Sequence, residues 1–297
     1  IKKFSKEREF YFYQEYFNYR FLSNLGFENA PKIIGINKIK FELYFEFIEN
    51  YNKKLTNKSE KYELITIKLI KEIQKQKIKP KLYAKEALLN CTMAINQVLN
   101  RISEHKNNFS KFNSEYQLII NKFEKLFRIQ KKYLIKLNPT SNLTFSQADS
   151  SINNSLIDKN ERLYLVDFEY AGLDSPIKQH IDYLLHPKNC LFTNNSKTWS
   201  EFFLNALIEK VDQKNINIYN SFFALKWGLI VLNEFLPKNW EVRLQADMSK
   251  KNKYDRILML QLKKAKLYLE ASKKLLDDGQ AQKLFTESER ILLFKSY

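Results

Sequence analysis

The fold of this chain is decided by Ser146-Gln-Ala-Asp-Ser-Ser-Ile-Asn-Asn154 together with Leu163-Tyr-Leu-Val-Asp-Phe-Glu-Tyr-Ala-Gly172. Between Asn154 and Asp167, two apolar-rich segments, 155–157 and 162–166, flank the turn-forming Asp158-Lys-Asn-Glu161. We therefore predict a β-hairpin in which Asn154 lies opposite residues 165 to 167. Asp167 then ends one strand, Asn154 ends the other, and Asp149 lies in the loop that leads in.

The side-chain oxygen atoms at the open end of this hairpin could bind a metal ion and accept a proton. A carboxylate and an amide oxygen, from Asp167 and Asn154, are hard ligands suited to Mg²⁺ and to phosphate-bound metal. Asp149 lies close enough in sequence to orient a hydroxyl group and take its proton. These groups are the minimal equipment for phosphoryl transfer. An ordinary acidic loop is the alternative, because loops are generally rich in Asp and Asn.

At these residues the sequence resembles the aminoglycoside phosphotransferase and choline kinase-like family, which is related in fold to the protein kinases. The resemblance rests on Asp149 and Asn154 and on Val166-Asp-Phe-Glu-Tyr170. It continues through Gly172-Leu-Asp-Ser-Pro176, Asp182-Tyr-Leu-Leu-His-Pro187 and Leu225–Pro237, where it is closest to a bacterial subgroup of undefined substrate. Gln147 stands where the family has a histidine that supports the shape of the loop.

This resemblance implies an activity and its cofactors. Asp149 is implied as the catalytic residue, Asn154 and Asp167 as the metal ligands, and ATP and Mg²⁺ as the cofactors. The implied reaction transfers the γ-phosphate to a hydroxyl group of a small molecule, such as a sugar, an amino alcohol or an aminoglycoside-like compound. The competing interpretation is a weak or inactive pseudokinase that binds a nucleotide or metabolite. Gln147 and the absence of a glycine-rich phosphate loop favour it, and the retention of Asp149, Asn154 and Asp167 opposes it.

The implied fold is α+β and protein kinase-like, with two lobes. Residues 1–49 are expected to form a small β-rich N-lobe, and residues 50–297 a large, mainly helical C-lobe that contains the catalytic loop and hairpin. The chain has five glycines and no glycine-rich phosphate loop. We expect either a truncated N-lobe that lacks its first strands or a relative that has lost this loop.

In the N-lobe, the sequence predicts a helix from about Lys6 to Leu25, ended by Gly26. Phe10, Tyr13, Phe17 and Phe21 recur at helical spacing and predict one apolar stripe, with Glu15 off that stripe.

The family resemblance makes Glu15 the partner of a phosphate-binding lysine, either Lys2 or Lys3. A solvated helix charge is the alternative for Glu15. Two strands are predicted at 32–37 and 41–48 from their aromatic and β-branched residues. The end of the second run resembles the lobe linker, which implies that the backbone of Glu46, Phe47 and Ile48 contacts adenine; a plain edge strand explains this run as well.

The amino-acid composition limits which kinds of partner the protein is expected to bind. The formal net charge of +17 invites a nucleic-acid partner, but the basic residues do not gather into one Arg-rich stripe with stacking aromatics, so we expect no specific nucleic-acid binding. There is no apolar run of membrane-spanning length, and we expect no membrane partner. Cys91 and Cys190 lie far apart in sequence, as suits a reducing cytoplasm. A globular core fits the 44% hydrophobic content.

The C-lobe is predicted to be mostly helical, with helices at 62–76, 83–105, 109–137, 199–210, 216–236 and 254–276. Lys226, Asn233 and Glu234 would share one face of the apolar helix at 216–236. They are candidates for substrate binding, as is His186. A satisfied polar cluster in the helix bundle is the alternative for the first three, and a capping or core role is the alternative for His186.

Overall fold

The structure, a computed structural model, describes residues 1–51, 58–76, 80–109, 112, 114–137, 142–191, 196–208, 213–277 and 284–295. The chain divides into two units. The first comprises Ile1–Ala87, Thr140–Leu184 and Asn195–Glu209, and the second comprises Leu88–Pro139, Leu185–Asn194 and Lys210–Tyr297. The predicted lobe boundary between residues 49 and 50 falls inside the first unit, and that division of the chain into lobes stays a prediction.

A small antiparallel sheet opens the first unit. Its strands are β1 (Lys2–Lys3), β2 (Ile33–Asn37) and β3 (Glu42–Phe45), in the order β1-β3-β2. Lys2 lies opposite Leu43, which is fully buried. The two predicted strand runs are thus confirmed, although β3 ends at Phe45 rather than at residue 48. Phe45 and its neighbours in β3 bury aromatic and branched side chains, which explains why this run forms a strand.

The helix predicted at 6–25 is confirmed as a short 3₁₀ turn, Lys6–Arg8, followed by α1 (Glu9–Asn24). It ends before Gly26, whose φ of +73° is a left-handed conformation that glycine adopts without steric cost.

The predicted apolar stripe of α1 is wrong. Phe10 and Phe17 are 65% and 54% exposed, and Tyr13 and Phe21 are only half-buried. The buried face instead carries Phe12, Tyr19 and Leu22 together with three polar residues, Gln14, Glu15 and Asn18. Aromatic residues surround this helix on every side, so spacing alone could not select the face that is buried. The buried polar residues need partners, and those partners lie in the candidate site.

The predicted hairpin is confirmed with its register. It consists of β5 (Ser155–Ile157) and β6 (Leu163–Leu165), and Ser155 lies opposite Leu165. Beyond the ladder, the Val166 backbone N–H donates to the Asn154 carbonyl at 3.0 Å. The turn is stabilised by one Asp158 carboxylate oxygen, which accepts backbone N–H groups from Asn160 and Arg162.

A second strand pair flanks the hairpin and was not predicted, because each strand has only three residues. β4 (Thr144–Ser146) pairs with β7 (Gly172–Asp174), and Ser146 lies opposite Gly172. A Cβ atom at Gly172 would overlap the carbonyl of Leu82 and the peptide between Tyr83 and Ala84. Glycine therefore permits a close backbone approach at the end of the segment that follows Asp167.

The remaining elements of the first unit are helical. They are α2 (Lys58–Gln76), α5 (Pro176–Leu185), whose last residue belongs to the second unit, and α6 (Lys197–Glu201), which continues as a π-helix over Phe202–Leu207. The predicted helices at 62–76 and 199–210 correspond to α2 and to α6 with its π-helix. Residues 209 and 210 lie outside the described residues. Trp199 is fully buried against Tyr183 and Phe203.

The second unit is built from helices. They are α3 (Cys91–Lys106), α4 (Ser114–Leu134), α7 (Gln213–Val231), α8 (Pro237–Ala246), α9 (Tyr254–Asp277) and α10 (Glu287–Phe294), with 3₁₀ turns over Leu232–Phe235 and Met248–Lys253. The helix predicted at 83–105 begins only at Cys91, because the side chain of Asn90 accepts the Met93 backbone N–H as an N-cap. In the described part of the chain, no helix has both the length and the apolarity needed to cross a membrane.

Candidate active site

The loop between β4 and β5 presents Asp149. The Asp149 backbone N–H donates to the Gln147 carbonyl at 2.8 Å, and Ala148 between them has a left-handed φ of +63°. A left-handed residue with a Cβ atom costs about 1–2 kcal/mol, so the surroundings must enforce this turn. The Asn154 side-chain amide donates to both the Asp149 carbonyl and its carboxylate, at 2.9 and 3.1 Å. The structure therefore brings together Asp149 and Asn154, as predicted.

Gln147 joins this loop to the end of β6. Its side-chain amide donates to the Val166 carbonyl at 2.5 Å, and its Oε1 atom accepts the Tyr62 hydroxyl at 2.9 Å. Gln147 and Tyr62 are both buried. Val166 immediately precedes Asp167, so one side chain connects the loop of Asp149 to the backbone of Asp167. The departure from the family histidine thus leaves the loop supported by an uncharged amide.

Asp167 has a left-handed φ of +67°. Aspartate tolerates this conformation better than most residues, and here it turns the chain sharply after β6. Burial raises the pKa of the Asp167 carboxyl, Lys2 opposes that rise, and the charges of Glu169 and Asp149 add to it. A divalent cation bound at Asp167 would offset this repulsion between carboxylates.

Lys2 stands at the centre of three carboxylates. Its Nζ atom lies 2.6 Å from Glu15 Oε2, 2.6 Å from Asp167 Oδ1 and 3.1 Å from Glu169 Oε2. Burial opposes its charge, but the three carboxylates outweigh burial and raise the pKa of Lys2 above its ordinary value. The Glu15 side chain is 1% exposed, and burial raises its pKa despite the nearby ammonium. Glu15 is thus a buried partner of Lys2 and not a solvated helix charge.

Glu169 is a site residue that the sequence reasoning missed. It is buried, contacts Lys2 and is bound by the Arg8 guanidinium, which also donates to the Tyr170 hydroxyl at 3.2 Å. Burial opposes its charge, but Lys2 and Arg8 together lower the pKa of Glu169. The available signal was its position two residues after Asp167, within the run Val166-Asp-Phe-Glu-Tyr170 on which the resemblance rests.

The buried polar face of α1 holds the segment after Asp167. The Gln14 amide donates to the Ala171 carbonyl at 2.9 Å and the Tyr83 carbonyl at 3.1 Å. The Asn18 amide donates to the carbonyls of Phe168 and Ala171 at 3.0 and 2.8 Å. These bonds satisfy backbone groups of an irregular segment that has no strand partner at this point, and they place Glu15 beside Asp167.

The alternative lysine, Lys3, lies elsewhere. Its Nζ atom forms an ion pair with Glu42 at 2.8 Å, and its side chain is 69% exposed. Successive residues of a strand point to opposite faces, so Lys2 and Lys3 cannot both reach Glu15. The geometry brings Lys2, and not Lys3, to the carboxylates.

The predicted adenine-binding segment follows β3. The Glu46 backbone N–H donates to the Lys32 carbonyl at 2.9 Å, and its carboxylate accepts the Lys32 N–H at the same distance. The backbone groups of Phe47 and Ile48 have no hydrogen bond to any other described residue. Phe47 is 90% exposed. Among the described residues nothing occupies the backbone groups of Phe47 and Ile48, and their contact with adenine stays a prediction.

The donor set fits a magnesium ion. Oxygen atoms of Glu15, Asp167 and Glu169 all lie within 4.8 Å of one another. With the Asn154 amide oxygen, Asp167 and Glu169 offer hard oxygen ligands of the kind that Mg²⁺ prefers. Lys2 neutralises part of this charge in the structure, so metal and lysine would divide the carboxylates between them.

The predicted substrate residues on the helix at 216–236 lie in the second unit, one in α7 and two in the turn that follows it. Lys226 is buried in α7 and donates to Gln97 Oε1 at 2.7 Å. Asn233 and Glu234 fall in the 3₁₀ turn after α7, because the α-helix ends at Val231. Lys226 and Asn233 both reach α3, at Gln97 and at Arg101 one turn further along, whereas Glu234 contacts Arg243 of α8.

Each of these residues has a partner of its own. Buried Glu234 forms an ion pair with Arg243, and Asn233 Oδ1 is 3.5 Å from Arg101. His186 accepts the Lys188 backbone N–H at 3.1 Å through Nδ1, and its ring meets the Trp227 ring edge-on at 4.9 Å. These contacts agree with the alternatives of a satisfied polar cluster and a capping histidine, and their roles in substrate binding stay predictions.

The hydrogen bonds from Gln147 to Val166 and Tyr62, which we call the Gln147 bridge, lead to a prediction about stability. Gln147→Leu leaves the Val166 carbonyl and the Tyr62 hydroxyl buried without this partner, so we expect a loss of about 1–3 kcal/mol in the free energy of unfolding. Urea denaturation measures it. Gln147→His retains a ring N–H that can donate to Val166 and should lose less. Equal losses in the two variants would contradict the proposed bridge.

Comparison with solved structures identifies the fold of this chain. No protein-family model matches the sequence, and no curated protein matches it. Among solved structures, a choline kinase from Streptococcus pneumoniae matches with a TM-score of 0.50 and 17% identity, over 90% of this chain and 84% of that one. A choline/ethanolamine kinase family protein from Mesorhizobium loti matches with a TM-score of 0.52 and 12% identity, over 95% and 83% of the chains. The predicted α+β, protein kinase-like fold is thereby confirmed.

Proposed function

We propose that this protein is an ATP-dependent phosphotransferase that moves the γ-phosphate of ATP to a hydroxyl group of a small molecule. The observation that carries the proposal is the arrangement of Asp149, Asn154, Asp167 and Glu169 around one hairpin mouth, with Lys2 held there by buried Glu15. The kinase-like fold supports it, although a fold alone does not define an activity.

Each side chain has a role in the proposed reaction. Asn154, Asp167 and Glu169 hold Mg²⁺, which, when bound, neutralises charge on the phosphate oxygens. Lys2 would bind the α- and β-phosphates. Asp149 orients the acceptor hydroxyl and takes its proton as the oxygen bonds to the γ-phosphorus and the bond to the β-phosphate oxygen breaks. Because the transition state is largely dissociative, alignment and charge neutralisation supply most of the acceleration.

The nucleotide and acceptor classes follow from the same site. We propose that the backbone at Glu46, Phe47 and Ile48 binds adenine. The two matched structures are described as a choline kinase and a choline/ethanolamine kinase family protein, so amino alcohols are the first acceptors to screen, followed by sugars and aminoglycosides. Cys91 and Cys190 are both free and buried, which agrees with the proposed cytoplasmic location.

The pseudokinase alternative loses one of its supports. It rested partly on Gln147, but the bonds from Gln147 to Val166 and Tyr62 supply the loop support that the missing histidine would give. A protein that only binds nucleotide has no need of Asp149 placed beside Asn154.

The test is a thermal-shift measurement followed by an acceptor screen. ATP should raise the melting temperature only when Mg²⁺ is present, because the carboxylate cluster repels the phosphates without it. ADP release should then be measured with choline, ethanolamine, a sugar panel and an aminoglycoside panel. An Mg²⁺-dependent shift without turnover of any acceptor favours the pseudokinase, and the absence of any shift contradicts nucleotide binding altogether.

A further inference from the structure

The guanidinium of Arg8 lies beside the carboxylate cluster, and the proposed reaction gives it no role. Arg8 ends the 3₁₀ turn that leads directly into α1. Its side chain makes no capping hydrogen bond to the helix, and the helix dipole opposes a cation at a helix N-terminus. Stabilisation of α1 therefore does not explain an arginine at this position, whereas its contacts outside the helix do.

The two carboxylate oxygens of Glu169 contact different cations. Oε1 accepts a hydrogen bond from Arg8 Nη2, and Oε2 lies 3.1 Å from Lys2 Nζ. The same Nζ atom lies 2.6 Å from Asp167 Oδ1, so Oε2 is the Glu169 oxygen on the side of Asp167. Arg8 thus occupies one oxygen of Glu169 and leaves the other for the proposed metal.

Arg8 is itself held by several side chains of the first unit. Its Nη2 atom also donates to the Tyr170 hydroxyl at 3.2 Å. Its guanidinium carbon lies 5.7 Å from the centre of the Phe4 ring and 5.4 Å from that of Tyr11, within the range of cation–π attraction. The Tyr170 ring meets Tyr11 edge-on at 5.0 Å and has Lys85 Nζ 4.1 Å from its centre. These contacts fix the guanidinium more firmly than one surface ion pair would.

Carboxylates that bind metals are usually oriented by a hydrogen bond to a neighbouring group. We propose that Arg8 is a positioning residue that holds the Glu169 carboxylate with Oε2 directed to the metal proposed at Asp167. This inference rests on the proposed function, because it takes the Mg²⁺ site from it. Arg8 acts through Glu169, since a guanidinium is itself a cation and cannot be a metal ligand.

A purely electrostatic role for Arg8 predicts the opposite effect on metal binding. A positive charge beside the carboxylates repels Mg²⁺, so its removal alone would strengthen metal binding. If Arg8 positions Glu169, its removal weakens metal binding, because the released carboxylate can rotate away from Asp167. The sign of the change therefore decides between the two roles.

The test titrates Mg²⁺ at saturating ATP and follows the melting temperature. The Mg²⁺ concentration that gives half of the full shift, here called the Mg²⁺ midpoint, should rise about tenfold in Arg8→Met. It should rise by less in Arg8→Lys, which keeps the charge but loses the planar fork that reaches both Glu169 and Tyr170. Arg20→Met is the matched control, because Arg20 is an exposed arginine of α1, and its midpoint should not change.

Turnover adds a readout that a merely structural role would not change in the same way. The kcat of Arg8→Met should approach that of the unaltered protein as Mg²⁺ is raised, because excess metal fills a weakened site. A loss of kcat that persists at saturating Mg²⁺ would overturn the positioning role. An unchanged or lower Mg²⁺ midpoint in Arg8→Met, or an equal rise in Arg20→Met, would also overturn it. Circular dichroism without ligand checks folding, and if Arg8→Met does not fold, an unchanged midpoint in Arg8→Lys overturns the proposal.

Failure of this inference is distinguishable from failure of the proposed function. The unaltered protein tests the proposed function, because it must show an Mg²⁺-dependent shift with ATP before any midpoint can be measured. Such a shift with the same midpoint in Arg8→Met overturns only the role of Arg8. The absence of a shift in the unaltered protein overturns both.

Discussion

Asp167→Ala should reduce Mg²⁺-dependent phosphoryl transfer by roughly a thousandfold or more, since one lost electrostatic contact to the transferring group costs on this scale. The substitution removes a proposed metal ligand, which is also one of the two carboxylates that lie 2.6 Å from Lys2. Lys2 keeps Glu15 and Glu169 as partners, so the protein should remain folded. Steady-state ADP release with saturating acceptor measures the loss.

Glu161→Gln is the matched control for this prediction. Glu161 is exposed in the turn of the same hairpin and pairs with Lys61 on the surface. The Glu161→Gln substitution changes the net charge by the same amount as Asp167→Ala. It should leave turnover within about twofold, because exposed ion pairs contribute little to stability. Retained turnover in Asp167→Ala, or an equal loss in Glu161→Gln, would remove Asp167 from the metal site.

The hairpin was predictable because its determinants are local. Turn-forming residues and alternation set the register, and the Val166–Asn154 hydrogen bond lies where that register requires. Asp149, Asn154 and Asp167 are brought together by this short-range folding. The choice of Lys2 over Lys3 required tertiary structure, because two adjacent residues have nearly the same sequence spacing to Glu15.

The burial of α1 was not predictable from its spacing. Its exposed aromatics, Phe10 and Phe17, obey helical periodicity as well as the buried Phe12 and Tyr19 do. The buried face of α1 is determined by Gln14 and Asn18, whose amides donate to the backbone carbonyls of Phe168 and Ala171. Those carbonyls have no strand partner because Asp167 turns the chain out of β6. The polar residues of α1 therefore follow from the shape of the site, and a pattern of hydrophobicity cannot reveal them.

The second large effect is expected for Lys2→Met. Loss of the ammonium leaves Glu15, Asp167 and Glu169 close together with only Arg8 to offset their charge, and it removes the proposed phosphate contact. We expect kcat/KM for ATP to fall by about a hundredfold or more. Lys3→Met is the matched control, because Lys3 lies on the other face of β1 and pairs with Glu42. A loss in Lys3→Met equal to that in Lys2→Met would contradict the assignment.

The same substitution should change how stability depends on pH. Burial already raises the pKa of Glu15, and removal of Lys2 takes away the group that opposes this rise. An acid whose pKa is higher in the folded state than in the unfolded state loses stability as pH rises between the two values. Lys2→Met should therefore be destabilised more at pH about 8 than at pH about 5 in urea denaturation. Adding Glu15→Gln should reduce that difference without restoring turnover, because the amide removes one buried charge but supplies no cation for the phosphates; Asp167 and Glu169 retain the remainder. A double variant with the pH dependence of Lys2→Met alone would show that Glu15 is not the group responsible.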